Sequence, residues 1–173
     1  SLGALPPGIN VFPGMSVTVT DGQGDAAIQS GQVDEMVAQG IDVLIISPRD
    51  SDALAGAVDR AVAAGVKVIA ADRDVNTTVD TYIGSDNVEA GVVSGKNIAA
   101  VLGDGGQLIE LAGSLGASPT IARGDGLRTG LEGSGVTIVD SQTADYDQAK
   151  GLTVMQDLLQ KYPAGTIDGV YTH

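Results

Sequence analysis

A carboxylate and a guanidinium stand side by side at the end of an apolar run. Residues 66–71 read Val-Lys-Val-Ile-Ala-Ala, and Asp72 and Arg73 follow directly. Such a run is typical of a buried parallel strand, and the carboxyl ends of parallel strands open onto the crevice where α/β sheets bind ligands. Asp72 can accept hydrogen bonds from hydroxyl groups and Arg73 offers five donors, so the pair suits a neutral polyol such as a sugar. An ion pair that merely caps the strand end is the alternative.

Three more polar residues lie at or near the carboxyl ends of predicted strands, namely Ser47, Arg123 and Tyr146. A tyrosine ring offers an apolar face to the C–H groups of a sugar, and its hydroxyl can hydrogen-bond. Each residue alone has an ordinary structural explanation, as a turn hydroxyl, a helix-surface charge or a partly buried ring. Together with Asp72 and Arg73 they predict a ligand site in a cleft between two lobes.

The elements that must position these side chains alternate along the chain. From about residue 15 onward, short β-branched runs are separated by segments with helical spacing of apolar residues. This rhythm predicts an α/β fold of parallel strands joined by right-handed helical crossovers. The predicted strands are Ser16–Thr20, Asp42–Ile46, Val66–Ala71, Thr81–Ile83, Gln107–Leu111, Val136–Val139 and Ile167–Tyr171.

Three apolar stripes predict helices that pack on the sheets. One stripe spans residues 33–37 and is stopped by Gly40. The second spans residues 53–62, with Asp50 or Ser51 as its candidate N-cap. The third spans residues 152–159 and is ended by Tyr162 and Pro163.

The interval between the third and fourth strands breaks this rhythm. Residues 72–80 leave no room for a helix, and a new series of βα units follows residues 84–87, Gly-Ser-Asp-Asn. We therefore expect one α/β lobe over residues 1–84 and a second over residues 85–173. An antiparallel edge hairpin within one sheet is the alternative. The first 14 residues are expected to be irregular because prolines forbid a helix, and Ile9–Phe12 could form only a short strand.

Composition narrows the function classes. The 173 residues carry a net charge of −13, with 43% hydrophobic and 18% charged residues, which is typical of a globular chain with a sizeable core. The acidic balance argues against a nucleic-acid partner. No apolar run approaches the roughly 20 residues of a membrane-spanning helix. No signal-peptide pattern is visible at the N-terminus, although an exported protein could have lost one.

The chain has no cysteine and a single histidine, His173. Disulfides and thiolate metal sites are therefore excluded, and a histidine metal cluster or a Ser-His-Asp triad is disfavoured. Residues 22–27 imitate a dinucleotide fingerprint, but the next strand ends in Ser47 rather than in the acidic residue that such a site needs. We interpret residues 22–27 as a turn with Asp25 near a helix N-terminus. No cofactor or metal is predicted.

At these residues the chain resembles the sugar-binding proteins of ABC importers, specifically the ribose-binding-protein group of type I periplasmic binding proteins. The resemblance covers about residues 15–173. It implies two doubly wound parallel-sheet lobes and a pentose, hexose or related polyol as ligand. It further implies a membrane permease as partner, a monomeric state, and a periplasmic or extracytoplasmic location with or without a lipid anchor. The matching stretches are residues 21–25, 46–53, 72–73, 84–87, 122–126, 144–147 and 151–159.

The resemblance also assigns roles to residues. Asp72 and Arg73 match the pair that clamps the ring hydroxyls, Arg123 matches the arginine of the second lobe, and Tyr146 matches an aromatic that packs on the sugar. Ser47 falls where ribose binders carry an asparagine, so the identity of the sugar stays open. The family's first strand, central in its first sheet, has no equivalent here. We therefore expect an incomplete piece of a longer protein, with a gap that the neighbouring strands cannot close, or a protein with an altered first unit.

Two other functions remain open at this stage. The effector-binding domain of a lactose-repressor-type transcription regulator shares the fold, but it would need a helix-turn-helix that residues 1–14 do not supply. An α/β enzyme could use Asp72 and Arg73 for acid–base chemistry. No nucleophile–base pair or metal set accompanies them in the sequence, so a non-enzymatic receptor is the prediction.

Overall fold

The computed structural model describes residues 14–103 and 105–173, and the predicted short strand over Ile9–Phe12 lies outside the described residues. Helices and strands alternate, as the sequence predicts. The helices are α1 (Ala26–Ala38), α2 (Ala55–Ala63), α3 (Asn87–Leu102), α4 (Ser118–Leu131) and α5 (Gln148–Lys161). The strands are β1 (Val43–Ile46), β2 (Lys67–Ala71), β3 (Thr81–Ile83), β4 (Gly106–Ala112), β5 (Val136–Thr143) and β6 (Gly169–Thr172).

The described strands form two separate parallel sheets, with orders β1-β2-β3 and β5-β4-β6. The α/β class with parallel sheets is therefore confirmed. The alternative of an antiparallel hairpin is wrong, because β3 pairs with β2 in parallel, with Ala70 opposite Tyr82. The chain then passes into α3 and the second sheet. We call the part around the first sheet the first lobe and the part around the second sheet the second lobe.

The predicted strand over Ser16–Thr20 is wrong, because these residues form no ladder with a neighbour. A groove lies between this stretch and β1, lined among others by Thr20, Gln32 and Leu44. On β1, Ile45 keeps 69% of its surface exposed. A strand needs a hydrogen-bonded partner, and across this groove neither the stretch nor the outer edge of β1 has one.

Local sequence signals set the helix starts in the first lobe. The Asp25 carboxylate accepts from the backbone N–H of Ala27 and Ile28 and caps α1, which confirms the turn interpretation of residues 22–27. Asp50 accepts from the N–H groups of Asp52 and Ala53, so it caps the turn that leads into α2. The prediction that Asp50 or Ser51 is the N-cap of α2 is therefore wrong, because α2 begins at Ala55 after Leu54, which makes no side-chain capping bond.

Helices α3 and α4 of the second lobe pack backbone against backbone, and glycines make this possible. A Cβ added at Gly91 would overlap the carbonyl oxygen of Arg123, and a Cβ added at Gly126 would overlap that of Val88. One turn further along, a Cβ at Gly95 would lie 2.6 Å from the Leu127 carbonyl oxygen. No residue larger than glycine fits these positions without separating the helices.

A buried carboxylate ties β4 to its surroundings. Glu110 has a side chain that is 2% exposed, and its Oε2 accepts from Arg128 Nη2 at 2.8 Å and from Ser141 Oγ at 2.7 Å. Its Oε1 accepts from His173 Nε2 at 3.0 Å. Burial raises the pKa of Glu110, but the hydrogen bonds from His173, Arg128 and Ser141 outweigh it and hold the pKa at about 2. Glu110 is therefore an ionised, fully paired group inside the second lobe.

The close contact between α3 and α4 predicts that a glycine-to-alanine substitution has opposite effects on stability in α4 and in α1. Gly126→Ala should destabilise the protein by about 1–3 kcal/mol, because the new methyl group forces α3 and α4 apart. Gly31→Ala in α1 is the matched control, since a Cβ there meets nothing within 4 Å, and it should stabilise by about 0.5–1 kcal/mol. Urea unfolding measures both. Equal effects of the two substitutions would contradict the close packing.

The paired Glu110 predicts a pH-dependent contribution to stability. Its folded pKa of about 2 lies below the ordinary 4.5, so the stabilisation is complete above the ordinary value and is lost as the pH falls towards 2. At about 1.4 kcal/mol for each pKa unit, the contribution is about 3 kcal/mol. The difference in unfolding free energy between the wild type and Glu110→Gln should shrink by that amount over this range.

The control for this titration is Gln160→Asn, at an exposed residue of the same lobe. Neither side chain titrates, so its difference from the wild type should stay nearly constant with pH. A constant difference for Glu110→Gln as well would mean that folding does not lower the pKa of Glu110.

Candidate functional site

Asp72 sits at the carboxyl end of β2 in a left-handed conformation, with φ +66°. The N–H of Arg73 donates to the Ala71 carbonyl at 2.7 Å, and the N–H of Asp72 donates to the Ile83 carbonyl at 2.8 Å. The Tyr82 hydroxyl donates to the Asp72 carbonyl at 3.1 Å. These bonds hold the backbone in a tight turn and leave the exposed carboxylate to other partners. Within the part of the chain that the structure describes, the carboxylate makes no hydrogen bond or ion pair.

Arg73 reaches from the first lobe to the second. Its guanidinium carbon lies 5.7 Å from the centroid of the Tyr146 ring, within the range of a cation–π interaction. The structure thus brings Arg73 and Tyr146, two of the five predicted site residues, together across the lobes. Asp72 adjoins Arg73 in the chain, so the carboxylate belongs to the same region.

Tyr146 is held by its backbone and by the hydroxyl end of its side chain. Tyr146 and Asp145 both have left-handed backbones, with φ +58° and +54°, which is costly for residues other than glycine. The Tyr146 hydroxyl lies 3.0 Å from Thr120 Oγ1. The ring rests where a Cβ at Gly113 would be, at the end of β4. The surroundings therefore determine which face of the ring is presented.

Arg123 is the second guanidinium of the candidate site. Its Nε donates to Asn87 Oδ1 at 2.9 Å. Burial raises the pKa of the nearby Tyr171 hydroxyl, and the charge of Arg123 opposes this shift while Tyr146 adds to it. Among the described residues, Arg123 makes no hydrogen bond or ion pair with Asp72, Arg73 or Tyr146, so its place in the same site stays a prediction.

Ser47 is not joined to the other four predicted residues. It follows β1, and its carbonyl accepts from Gln29 Nε2 at 2.9 Å. Its exposed side lines the groove beside β1. Its role in ligand binding therefore stays a prediction.

A second cavity lies on the side of the cleft where the chain crosses between the lobes. None of the five predicted residues is among those that line it, although Asn87, the partner of Arg123, is. Its lining residues are Asp74, Tyr82, Gly84, Ser85, Asp86, Asn87, Val88, Ser118 and Ala122.

Arg49 also joins the lobes. Its Nε donates to the Gly24 carbonyl at 3.0 Å within the first lobe, and its Nη1 donates to the Leu115 carbonyl of the second lobe at 3.2 Å. Its Nη2 lies 3.4 Å from Asp145 Oδ1. A hydrogen bond from Lys150 lowers the pKa of Asp145, and the charge of Arg49 contributes to the same shift. The residue next to Tyr146 is therefore anchored from both lobes.

Two neutral hydrogen bonds also cross between the lobes. The Ser51 N–H donates to the Gly116 carbonyl at 2.9 Å, and the Asp74 N–H donates to Ser118 Oγ at 2.7 Å. Together with Arg49 they fix the lobes at the distance that lets Arg73 face Tyr146.

Sequence reasoning missed four residues of this arrangement. Arg49 and Asp145 adjoin predicted site residues at strand ends, so the strand-end rule could have found them. Asn87 and Thr120 lie on helices and carry no chemical signature in the sequence. Only the packing of α3 and α4 and the position of the Tyr146 ring reveal them.

Other kinds of site receive no support from the described residues. No group of three histidine, aspartate or glutamate side chains within 14–103 and 105–173 could hold a metal ion. In the same ranges, no helix has the length and apolar character that crossing a membrane requires.

Known import binding proteins have sequences similar to this chain. The ribose import binding protein of Bacillus subtilis (strain 168) is 41% identical over 161 residues, which cover 92% of this chain and 52% of that protein. The ribose import binding protein of Escherichia coli (strain K12) is 38% identical over 151 residues, with 87% and 51% covered. The chain thus spans about half the length of these curated relatives.

Solved structures agree. The crystal structure of the Caulobacter myo-inositol binding protein bound to myo-inositol superposes with a TM-score of 0.87 at 32% identity, covering 92% of this chain and 55% of that one. The family described as periplasmic binding protein domain matches residues 12–173. With its parallel sheets and its polar strand ends, the chain belongs to this family of periplasmic binding protein domains.

Proposed function

We propose that this protein is a solute receptor that holds a pentose, a hexose or a related polyol between its two lobes. The observation that carries the proposal is the approach of Arg73, at the end of a strand in the first lobe, to the ring of Tyr146 in the second. A pair of charged hydrogen-bonding groups opposite an aromatic face suits a ring that carries hydroxyls on its edge and C–H groups on its face. The sugar-binding relatives support the ligand class.

In this proposal each residue has a separate task. The Asp72 carboxylate accepts from two neighbouring hydroxyls, and the guanidinium groups of Arg73 and Arg123 donate to hydroxyl and ring oxygens. Tyr146 packs on the sugar, while its hydroxyl stays with Thr120. Specificity follows because an unpaired buried polar group costs about 1–3 kcal/mol, so a sugar that lacks one hydroxyl binds more weakly. Ser47 is the proposed fifth contact, from the end of β1.

We further propose the context in which the receptor acts. The named relatives are import binding proteins, which supports delivery of the sugar to the membrane permease of an ABC importer and an extracytoplasmic location. The proposed lobes, residues 1–84 and 85–173, would close around the sugar by a hinge at the crossing between them. The protein is proposed to act as a monomer and without a cofactor.

The two rival functions gain no support. The relatives named above carry transport names, and nothing observed favours the effector domain of a lactose-repressor-type regulator. The enzyme alternative would need a nucleophile or a base near Asp72, and the contacts of Asp72 among the described residues are backbone hydrogen bonds and the Tyr82 hydroxyl. The proposal therefore remains a receptor that releases its ligand unchanged.

The role of Asp72 is tested by a substitution that keeps its shape. Asp72→Asn tolerates the left-handed backbone but removes the charge, so sugar affinity should fall roughly 10- to 100-fold. Titration calorimetry of the full chain with D-ribose, D-xylose and myo-inositol measures it. Asp42→Asn, an exposed residue at the opposite end of β1, is the control and should bind like the wild type. Unchanged affinity of Asp72→Asn would reject the role.

Two substitutions at Tyr146 distinguish the role of its ring from that of its hydroxyl. Tyr146→Phe keeps the aromatic face and should change sugar affinity less than about 3-fold, whereas Tyr146→Ala should weaken binding roughly 10-fold or more. The same titrations measure both variants. If the phenylalanine variant lost as much affinity as the alanine variant, the hydroxyl rather than the ring would be the ligand contact.

A further inference from the structure

We propose that Asn87 is a positioning residue that holds Arg123 for the ligand. The inference rests on the proposed function, in which Arg123 contacts the sugar. Asn87 is 7% exposed and is one of four buried polar or charged residues in the part of the chain that the structure describes. Its Oδ1 accepts from Arg123 Nε at 2.9 Å. This bond uses the inner donor of the guanidinium and leaves the four N–H groups of the two terminal nitrogens for other acceptors.

The orientation of the Asn87 amide follows from its two partners. Arginine only donates, so the atom facing Arg123 must be the amide oxygen. On its other side, Asn87 Nδ2 donates to the Ser85 carbonyl at 3.2 Å. A carbonyl only accepts, so both contacts require the same orientation. An asparagine satisfies this pair of partners, whereas an aspartate would set an oxygen against the Ser85 carbonyl and an alanine would leave both partners unpaired.

Helix packing explains why these two side chains meet. Asn87 lies four residues before Gly91 on α3, and Arg123 lies three residues before Gly126 on α4. Gly91 and Gly126 are the points where the two backbones touch. Residues one turn before such a crossing are brought face to face. The glycine contact thus sets the distance at which Asn87 reaches the Nε atom of Arg123.

Capping does not account for Asn87. The carboxylate of Asp86 accepts from the Glu89 N–H at 2.9 Å and caps α3. The side chain of Asn87 is therefore not needed to satisfy the first turn of the helix. Its buried amide oxygen is directed at Arg123 instead, from the segment in which the chain passes from the first lobe to the second.

The test is a double-mutant cycle on the full chain, with affinity for D-ribose, D-xylose and myo-inositol measured by titration calorimetry. Asn87→Ala should lower the affinity for whichever of these sugars the wild type binds by roughly 3- to 30-fold, because Arg123 loses its fixed position. In the Arg123→Ala background the same substitution should change affinity less than about 2-fold. Asn87→Asp keeps an acceptor for Nε and should recover part of the loss.

Asn97→Ala is the matched control, because Asn97 is an exposed asparagine of the same helix, and it should bind like the wild type. Thermal unfolding of each variant reports whether it folds. If Asn87→Ala unfolds, Asn87→Ser replaces it, since serine is favourable at a helix start and is too short to reach Arg123.

The outcomes separate the two proposals. If Arg123→Ala weakens binding and Asn87→Ala does not, the positioning role is overturned and the receptor function stands. If Asn87→Ala weakens binding equally with and without Arg123, Asn87 acts by another route and the inference is again overturned. If the wild type binds none of the sugars, or if Arg123→Ala changes nothing, the proposed function itself fails.

Discussion

The candidate site depends on the contact between the backbones of α3 and α4. Glycines at 91, 95, 126 and 130 remove the side chains that would normally separate two helices, so the axes approach until carbonyl oxygens meet α-carbons. Such an interface gains little apolar burial, and its advantage is geometric. Because main-chain atoms touch directly, the relative position of the helices cannot adjust through side-chain rotamers. A guanidinium on α4 is thereby held against an amide on α3 with little freedom.

The loops of the site are held in a different way. Several of their residues adopt backbone conformations that would be costly in isolation, and the surrounding contacts maintain them. The described residues other than glycine with a positive φ are Gln23, Asp72, Asp145 and Tyr146, and three of these lie where the lobes face each other. A left-handed backbone in a bulky residue such as tyrosine persists only when the surroundings determine it. Here the surroundings are the hydrogen bonds that grip Asp72 and the Gly113 and Thr120 contacts of the Tyr146 ring. Strain at strand ends is thus balanced by packing in the lobes.

Much of this arrangement follows from the sequence, and the exceptions have identifiable causes. The end of β2 was predictable because a buried parallel strand stops abruptly at two charged residues, and the start of α1 because Asp25 is a favourable cap. The stretch Ser16–Thr20 has the composition of a strand, yet it forms none, because a strand also requires a partner that local sequence does not reveal. Asn87 escaped prediction since its role comes from a neighbour 36 residues away.

The glycines of α4 are a second case in which the local sequence does not reveal a partner. Gly124, Gly126 and Gly130 lack the spacing of a dinucleotide-binding motif, and nothing else in the sequence of α4 alone assigns them a role. Their meaning depends on a second helix with glycines at matching positions, so the signal lies in the pair Gly91 and Gly126 rather than in either segment alone.

The contacts between the lobes favour closure, whereas the selection of a particular sugar depends on other groups. The Arg49–Asp145 pair is partly exposed, with side chains at 26% and 32%, so its net contribution is small after screening by solvent. The Ser51–Gly116 and Asp74–Ser118 hydrogen bonds are neutral and do not depend on the chemistry of a sugar. Any free energy they supply favours closure for every ligand equally. Discrimination between sugars must then come from the groups that contact the ligand, and in the proposed function these are Ser47, Asp72, Arg73, Arg123 and Tyr146.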